Sequence, residues 1–275
     1  MESITFVTPS HAGDYERFVF QRESMMRCGI DSPHVVIVHD EDTELFKRAP
    51  YRDGLTVLST RAVLRGEIES LRQAGYVSGW HTQQLTKLAA ADVVDTDYVC
   101  VDSDTFWVRP VDTADFRAPG GELRLFEQHW LSTELVFWLA HSLAAWDTDL
   151  QEPIEPVSWV YPIVPLSRDL VQELCVELET RHGAPWARVV LEHGAVEYSI
   201  YGTYARYVRH LDGVVPTEPD LAICYWQREF ERFDSLPETV AANTSKKAVM
   251  VHSHLGVSPE DYRATVERAW KASTG

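Results

Sequence analysis

The feature that most constrains the fold is the alternation of short apolar runs with helical patterns in the N-terminal half. The β-branched runs are ITFVT (4–8), HVVIV (34–38) and LTVLS (55–59), and the helical pattern DYERFVFQRESMMRCG (14–29) follows the first of them. A continuous apolar run bounded by turns is typical of a strand that is buried on both faces. The alternation therefore predicts an α/β fold with a mostly parallel central sheet flanked by helices.

A later helix and strand continue this pattern. The segment HTQQLTKLAAADVV (81–94) has helical periodicity and leads into the apolar run YVCVD (98–102). Its leucine and alanine side chains repeat on one face and are expected to pack on the sheet, so Gln83, Gln84 and Lys87 face elsewhere.

The second half of the chain is less regular. We expect a strand at 122–128, an apolar helix at 135–146 and a proline-punctuated link, which is a candidate hinge, at 151–165. The elements predicted after the link are helices at 167–183 and 195–210, strands at 221–226 and 248–254, and a terminal helix at 259–272.

Composition excludes several classes of protein. The chain is 45% hydrophobic and 24% charged, as is usual for soluble globular proteins. A formal net charge of −17 argues against nucleic acid or an anionic membrane as the main partner. The four cysteines have no paired spacing, which favours reduced thiols over a zinc site or a disulfide framework. With no signal-peptide pattern and no apolar segment long enough to cross a bilayer, we expect a cytoplasmic protein.

Two aspartates follow the apolar run YVCV, with one serine between them. Burying an unpaired carboxylate is costly, so Asp102 and Asp104 are expected to have a partner or to lie at the surface. Side chains two residues apart share one face of a strand, and hard divalent cations prefer carboxylate oxygens while leaving positions open for substrate phosphates. The carboxyl end of a parallel strand is also where open α/β sheets bind ligands. A solvated turn is the alternative interpretation.

The wider sequence around these aspartates resembles a known family. The segment GWHTQQLTKLAAADVVDTDYVCVDSDTFWVRP (79–110) resembles the donor-binding centre of nucleotide-sugar-dependent glycosyltransferases of the GT-A fold, specifically an uncharacterised bacterial group of predicted glycosyltransferases. The segment TPSHAGDYER (8–17) resembles the first strand and nucleotide-binding loop of the same group. The resemblance implies one Rossmann-like GT-A domain over 1–275, in which 1–110 binds the nucleotide sugar and 111–275 contains the acceptor side and a C-terminal metal-ligand segment.

The resemblance also implies a set of donor-binding residues. They are Thr8, Pro9, Ser10, Asp14, Trp80, Gln83, Gln84, Lys87, Asp102 and Ser103. The residues after the first strand would hold the nucleoside, Lys87 would neutralise donor phosphate, and Trp80 would be a platform for sugar or base. Helix capping by Ser10 or Asp14, a solvated lysine and a packed tryptophan are the structural alternatives.

Two histidines near the C-terminus are candidate metal ligands. His252 and His254 end an apolar run in VMVHSHLG (249–256). Metal-dependent glycosyltransferases, the glycogenin-like ones among them, use a late histidine, followed shortly by glycine, on the ion held by the aspartate pair. The resemblance thus implies a site for Mn²⁺ or Mg²⁺ formed by Asp102, Asp104 and either histidine, and imidazole beside carboxylate suits manganese better. Ordinary core or surface histidines are the alternative.

A glutamate in EHGAVEYSIYG (192–202) is the candidate general base. In inverting GT-A enzymes a carboxylate at the start of a helix takes the proton of the acceptor hydroxyl, and Glu197 is predicted to have this role, with Asp104 acting through the ion. A retaining enzyme could use the same residue to bind the donor sugar. A first-turn glutamate favoured by the helix dipole is the structural alternative.

These observations predict a metal-dependent glycosyltransferase that moves a sugar from a nucleoside-diphosphate sugar to a hydroxyl of a small molecule or natural product. One alternative is a haloacid-dehalogenase-type phosphatase with Asp102 as nucleophile and Asp104 as acid/base, although its motif usually lies near the N-terminus. Another is a non-catalytic sugar-nucleotide-binding protein, since nine tryptophans and eleven tyrosines could stack on sugar rings.

Overall fold

The structure, a computed structural model, describes residues 4–65, 71, 75, 78–130, 132–146, 154–227 and 229–273. The strands in this part of the chain are β1 (Thr5–Pro9), β2 (His34–Val38), β3 (Leu55–Ser59), β4 (Tyr98–Val101), β5 (Thr105–Trp107), β6 (Leu123–Phe126), β7 (Ile163–Leu166), β8 (Val214–Thr217), β9 (Ala222–Tyr225) and β10 (Ala248–Val251). The α-helices are α1 (Tyr15–Arg27), α2 (Thr43–Phe46), α3 (Thr60–Val63), α4 (Gly79–Ala89), α5 (Thr133–Ala144), α6 (Arg168–His182), α7 (Trp186–His193), α8 (Glu197–Thr203), α9 (Leu236–Ala242) and α10 (Pro259–Ser273).

The central sheet is the mostly parallel sheet predicted from the apolar runs. Its strand order is β3-β2-β1-β4-β7, with β1 to β4 parallel and β7 antiparallel to β4. Strands β1, β2 and β4 are buried along their whole length, as continuous apolar runs require. The chain leaves β1 toward β2 and β3 on one side and returns to β4 on the other. The carboxyl ends of β1 and β4 thus form the topological switch point where such sheets bind ligands.

A second sheet connects the aspartate turn to the C-terminal histidines. Its order is β5-β10-β9, with β5 antiparallel and β9 parallel to β10. The sequence analysis did not predict β5, because Thr105–Trp107 is only three residues long and follows the aspartate pair directly. The backbone N–H of Val251 donates to the carbonyl of Asp104 at 3.1 Å. This pairing brings the end of β10 against the aspartate turn.

The prediction of a link over 151–165 was wrong at its C-terminal end. Residues 151–153 lie outside the described residues, but Ile163–Leu166 form strand β7, which is buried and pairs with β4. The sequence analysis did not predict this strand because it contains Pro165. Strand β7 lies at the edge of the sheet, where a proline is tolerated.

The main hydrophobic core draws residues from both predicted halves of the chain. Val7, Tyr98, Leu174 and Tyr201 are all fully buried members of one cluster. A smaller two-stranded sheet, β6 paired parallel with β8, lies beside β7. Within the described residues, no helix has the length and apolar character needed to cross a bilayer.

Candidate active site

The candidate site is a cleft of about 440 Å³ at the carboxyl ends of β1 and β4. Its size is in the range of small-molecule binding sites. The predicted site residues that line it are Pro9, Asp14, Trp80, Gln83, Gln84, Lys87, Asp102, Ser103, Asp104, Glu197, His252 and His254. Segments that are far apart in the sequence therefore meet in one cavity.

Thr8 and Ser10 do not line the cleft, in contrast to their predicted contact with a nucleoside. Both are buried. The Thr8 hydroxyl lies 3.1 Å from Oε1 of Gln21 and 2.9 Å from Nε2 of His34, so its hydrogen-bond partners are buried side chains of the protein. The capping alternative does not describe Asp14, which makes no side-chain cap hydrogen bond and instead pairs with Arg17 at 2.9 Å.

The aspartate turn begins where β4 ends. The backbone N–H of Thr105 donates to the carbonyl of Asp102 at 3.0 Å, which closes a tight turn over Ser103 and Asp104. Asp104 is buried. One of its oxygens, Oδ2, accepts from the backbone N–H of Ser253 at 2.9 Å. The other, Oδ1, is buried and has no hydrogen-bond partner among the described residues.

Asp102 and Asp104 differ in how their negative charges are compensated. Burial, and then the charge of Asp102, raise the pKa of Asp104 to about 7. Asp102 is 38% exposed and lies 3.0 Å from the ammonium of Lys87. Asp104 therefore needs a proton or a cation at its free oxygen, whereas Asp102 is already compensated.

Lys87 is buried at the centre of the cleft rather than solvated. Its Nζ atom lies 2.9 Å from Oε1 of Glu197 as well as near Asp102, and 4.6 Å from the centre of the Tyr198 ring. Burial opposes the charged form, but the two carboxylates outweigh it and raise the pKa of Lys87 well above its usual value. The lysine predicted to neutralise donor phosphate thus has two carboxylate partners in the protein itself.

Glu197 is the first residue of α8, at the helix start where it was predicted. It is buried, and burial raises the pKa of its carboxyl group while Lys87 opposes the shift. With the amide nitrogen of Gln84 turned toward it, Gln84 donates to both carboxylate oxygens of Glu197, at 3.0 Å in the case of Oε1. The carboxylate is therefore held in place by two residues of α4.

The two histidines follow β10 and lie beside the aspartate turn. The His252 ring stacks on Trp226 with centroids 4.2 Å apart and lies 4.6 Å from the His254 ring. Burial, and then His254, lower the pKa of His252. It is consequently neutral at pH 7, which is the form of imidazole that binds metal.

The chemistry of these groups fits a divalent cation that is shared with a ligand. No group of three or more His, Cys, Asp or Glu side chains in the described part of the chain is arranged to hold an ion alone. Asp104 nevertheless presents a buried oxygen without a hydrogen-bond partner among the described residues, and Asp102, His252 and His254 line the same cleft. Magnesium and manganese are commonly bound by one or two carboxylates, and substrate phosphates complete the coordination.

Comparison with known proteins assigns the family. The model of the family of unknown function DUF6492 matches residues 4–271. The chain belongs to this family. No match was found among curated proteins.

Solved structures similar to this DUF6492 protein are glycosyltransferases. Mouse xyloside xylosyltransferase 1 in its apo form is 8% identical with a TM-score of 0.53, covering 92% of this chain and 99% of its own. The apo bifunctional glycosyltransferase WbbM is 9% identical with a TM-score of 0.54, and the match covers 99% of this chain and 52% of that one. The galactosyltransferase LgtC with donor and acceptor sugar analogues is 9% identical with a TM-score of 0.47, covering 95% and 100% of the two chains. The first two likenesses show that the DUF6492 chain has the predicted GT-A fold.

Two residues that the sequence analysis missed hold the site together. Gln21 of α1 donates to the carbonyls of Asp102 at 2.8 Å and of Thr105 at 3.1 Å. Arg17 donates to Asp14 and, at 2.9 Å, to the carbonyl of Val257 beyond the histidines. The one local signal for Gln21 is that it is a polar residue three positions after the apolar Phe18 on α1, and this does not show what its amide contacts.

Proposed function

We propose that this DUF6492 protein is a metal-dependent glycosyltransferase that moves a sugar from a nucleoside-diphosphate sugar to an acceptor hydroxyl. The observation that supports this most is the buried, unpartnered Oδ1 of Asp104 at the switch point of a GT-A fold. The charged form of such a buried carboxylate is costly unless a cation binds its free oxygen. The adjacent Asp102 adds a second ligand of the type that hard cations prefer.

The charge of the cleft supports metal dependence. Asp14, Asp102, Asp104 and Glu197 line it, and Lys87 is the only lysine or arginine among the described residues that do so. Because Lys87 already pairs with two carboxylates, a diphosphate would meet a net negative surface. A bound Mn²⁺ or Mg²⁺ would neutralise the departing diphosphate. Asp104 and Asp102, with His252 or His254, are the residues proposed to hold it.

The protein's own groups have distinct roles in this reaction. The acceptor oxygen forms a bond to the anomeric carbon as the bond from that carbon to the diphosphate breaks. Glu197 is proposed to receive the hydroxyl proton, because its raised pKa makes it a stronger base near neutral pH. Gln84 and Lys87 hold this carboxylate in one orientation, while Lys87 also fixes Asp102 beside the leaving group.

The proposal is tested in two stages. Thermal shift with nucleoside diphosphates should show stabilisation by one base only when Mn²⁺ or Mg²⁺ is present. Nucleotide sugars of that base are then assayed for release of diphosphate, alone and with a panel of hydroxyl acceptors. Asp169→Asn is the control for Asp104→Asn, since the Asp169 side chain is 83% exposed and does not line the cleft.

Three outcomes would contradict the proposal. Nucleotide binding that is equally strong without metal would show that no cation takes part in binding the donor. Binding with no turnover of any sugar nucleotide would indicate a binding protein. Stabilisation by beryllium fluoride with magnesium, and by no nucleotide, would favour the phosphatase.

A further inference from the structure

Two tryptophans from different helices meet at the cleft. Trp80 lies in the first turn of α4 and Trp138 on α5, and their ring centroids are 6.1 Å apart with the ring planes inclined by 29°. Both line the cleft. Trp80 is 45% exposed, so a large apolar surface faces water at the cavity. Covering such a surface is favourable, at about 25 cal/mol per Å² of apolar area.

We propose that Trp80 and Trp138 form the subsite that binds a sugar ring of the acceptor, so that the acceptor is a carbohydrate or glycoside. The inference rests on the proposed glycosyltransferase function. A pyranose or furanose ring has an apolar C–H face, which stacks on an aromatic ring, and hydroxyls at its edge, which need polar partners. Both kinds of surface are present together here.

The polar partners come from the same helix as Trp80. Gln83 is three residues after Trp80, hence on the same face of α4, and it lines the cleft half-buried. A hydrocarbon acceptor would bury the Gln83 amide without hydrogen bonds, which costs about 1–3 kcal/mol for each unpaired polar group. The tryptophans and Gln83 therefore suit a sugar better than an aliphatic chain.

The position in the fold favours the acceptor over the donor. Pro9 at the end of β1, His11 just after it and His39 just after β2 line the part of the cleft away from β7, which is where the sequence analysis places the nucleoside. Helices α4 and α5 both pack against α8, which begins at Glu197. The helices that carry the tryptophan pair thus pack against the helix that carries the proposed base, and all three residues line the cleft in which the attacking hydroxyl must lie.

Other exposed tryptophans differ from this pair. Trp226 also lines the cleft, but its ring centroid lies 4.2 Å from that of His252, a proposed metal ligand, so replacing Trp226 would also disturb the proposed metal site. Trp130 is 70% exposed and does not line the cleft. Trp130→Ala is accordingly a matched control for Trp80→Ala and Trp138→Ala, and Trp138→Phe is the conservative variant.

The experiment measures ligand binding rather than turnover. Methyl glycosides of common hexoses and pentoses are screened by saturation-transfer difference NMR with MgCl₂ and the nucleoside diphosphate identified by thermal shift. We expect at least one glycoside to bind with the strongest saturation on its ring C–H protons. Its affinity should fall about tenfold in Trp80→Ala and Trp138→Ala, stay within about twofold of wild type in Trp130→Ala, and largely recover in Trp138→Phe.

The results that would contradict the acceptor subsite differ from the result that would contradict the glycosyltransferase function. Unchanged glycoside affinity in both alanine variants would overturn the subsite, and so would binding of n-octanol in place of every glycoside. If the variants lose affinity for the intact sugar nucleotide but not for the nucleoside diphosphate or for free glycosides, the pair holds the donor's sugar instead. Absence of metal-dependent nucleotide binding in the wild type would contradict the glycosyltransferase function itself.

Discussion

Nζ of Lys87 lies 2.9 Å from Oε1 of Glu197, and both side chains are almost completely buried. The two partners are not equivalent. Lys87 has a second carboxylate partner, Asp102, at 3.0 Å. The second hydrogen-bond donor to Glu197 is the amide of Gln84, which is neutral. Removing one member of a buried ion pair is costly mainly because it leaves the other charge uncompensated.

Lys87→Met should lower the free energy of unfolding by about 3–5 kcal/mol, because Glu197 loses its counter-charge. Glu197→Gln should cost less than half as much, because Lys87 keeps Asp102. Urea unfolding at pH 7.5 measures both changes. The double variant should recover part of the Lys87→Met loss, whereas strictly additive losses would show that the pair is not coupled.

Asp104→Asn should abolish metal-dependent nucleotide binding without destabilising the metal-free protein. The substitution removes a buried negative charge near Asp102 and keeps an oxygen for the Ser253 N–H. We expect the melting temperature without ligand to be the same as in wild type or higher, and the shift caused by Mn²⁺ with nucleotide to disappear. A normal shift in this variant would show that Asp104 is not a ligand.

The sequence predicts the strands of this fold where they consist of a continuous apolar run. Strands β2 and β3 begin and end where the runs HVVIV and LTVLS do. Strand β5 and the proline-containing β7 were missed, since one is only three residues long and the other contains a residue that normally interrupts strands. Their partners are set by tertiary pairing, which local patterns do not encode.

Most of the residues predicted for the site line one cleft, but the contacts among them could not be predicted. Asp102, Lys87 and Glu197 were expected to contact the donor or acceptor, and all three line the cleft. That they neutralise one another could not be derived, because Lys87 and Glu197 are 110 residues apart in sequence. Gln21 was missed because nothing in α1 shows that its amide reaches the end of a strand far along the chain.

Acid should destabilise the protein through His34. Burial, and then Arg22, hold the pKa of His34 well below its ordinary value of 6.5. Above pH 6.5 the contribution of neutral His34 is fully present. As the pH falls below 6.5, the unfolded chain takes up a proton that the folded state does not, so stability falls by up to about 1.4 kcal/mol per pH unit.

His34→Gln should remove this dependence. Unfolding free energies from urea titrations at pH 7.5 and 5.5 should differ more in the wild type than in the variant, even though the variant is less stable at pH 7.5. Equal pH dependence in the two proteins would show that His34 takes up a proton in the folded state as readily as in the unfolded chain.

Gln21 connects the buried interior to the aspartate turn. His34 lies 2.9 Å from the Thr8 hydroxyl, this hydroxyl donates to Oε1 of Gln21, and Nε2 of Gln21 donates to the carbonyls of Asp102 and Thr105. These two carbonyls bracket the turn that presents both aspartates. Gln21 is therefore expected to position the turn rather than to touch substrate.

Gln21→Met keeps the length of the side chain and removes its hydrogen bonds. We expect a stability loss of about 1–3 kcal/mol from the hydrogen bonds that are lost at the two carbonyls and at the Thr8 hydroxyl, together with a nucleotide affinity that falls at least tenfold in the presence of metal. Gln172→Met is a matched control, because Gln172 donates to Ala91 and Asp92 far from the aspartate turn. If Gln21→Met loses stability but binds metal and nucleotide as the wild type does, Gln21 has only a structural role, because a turn that kept its geometry would keep its ligands.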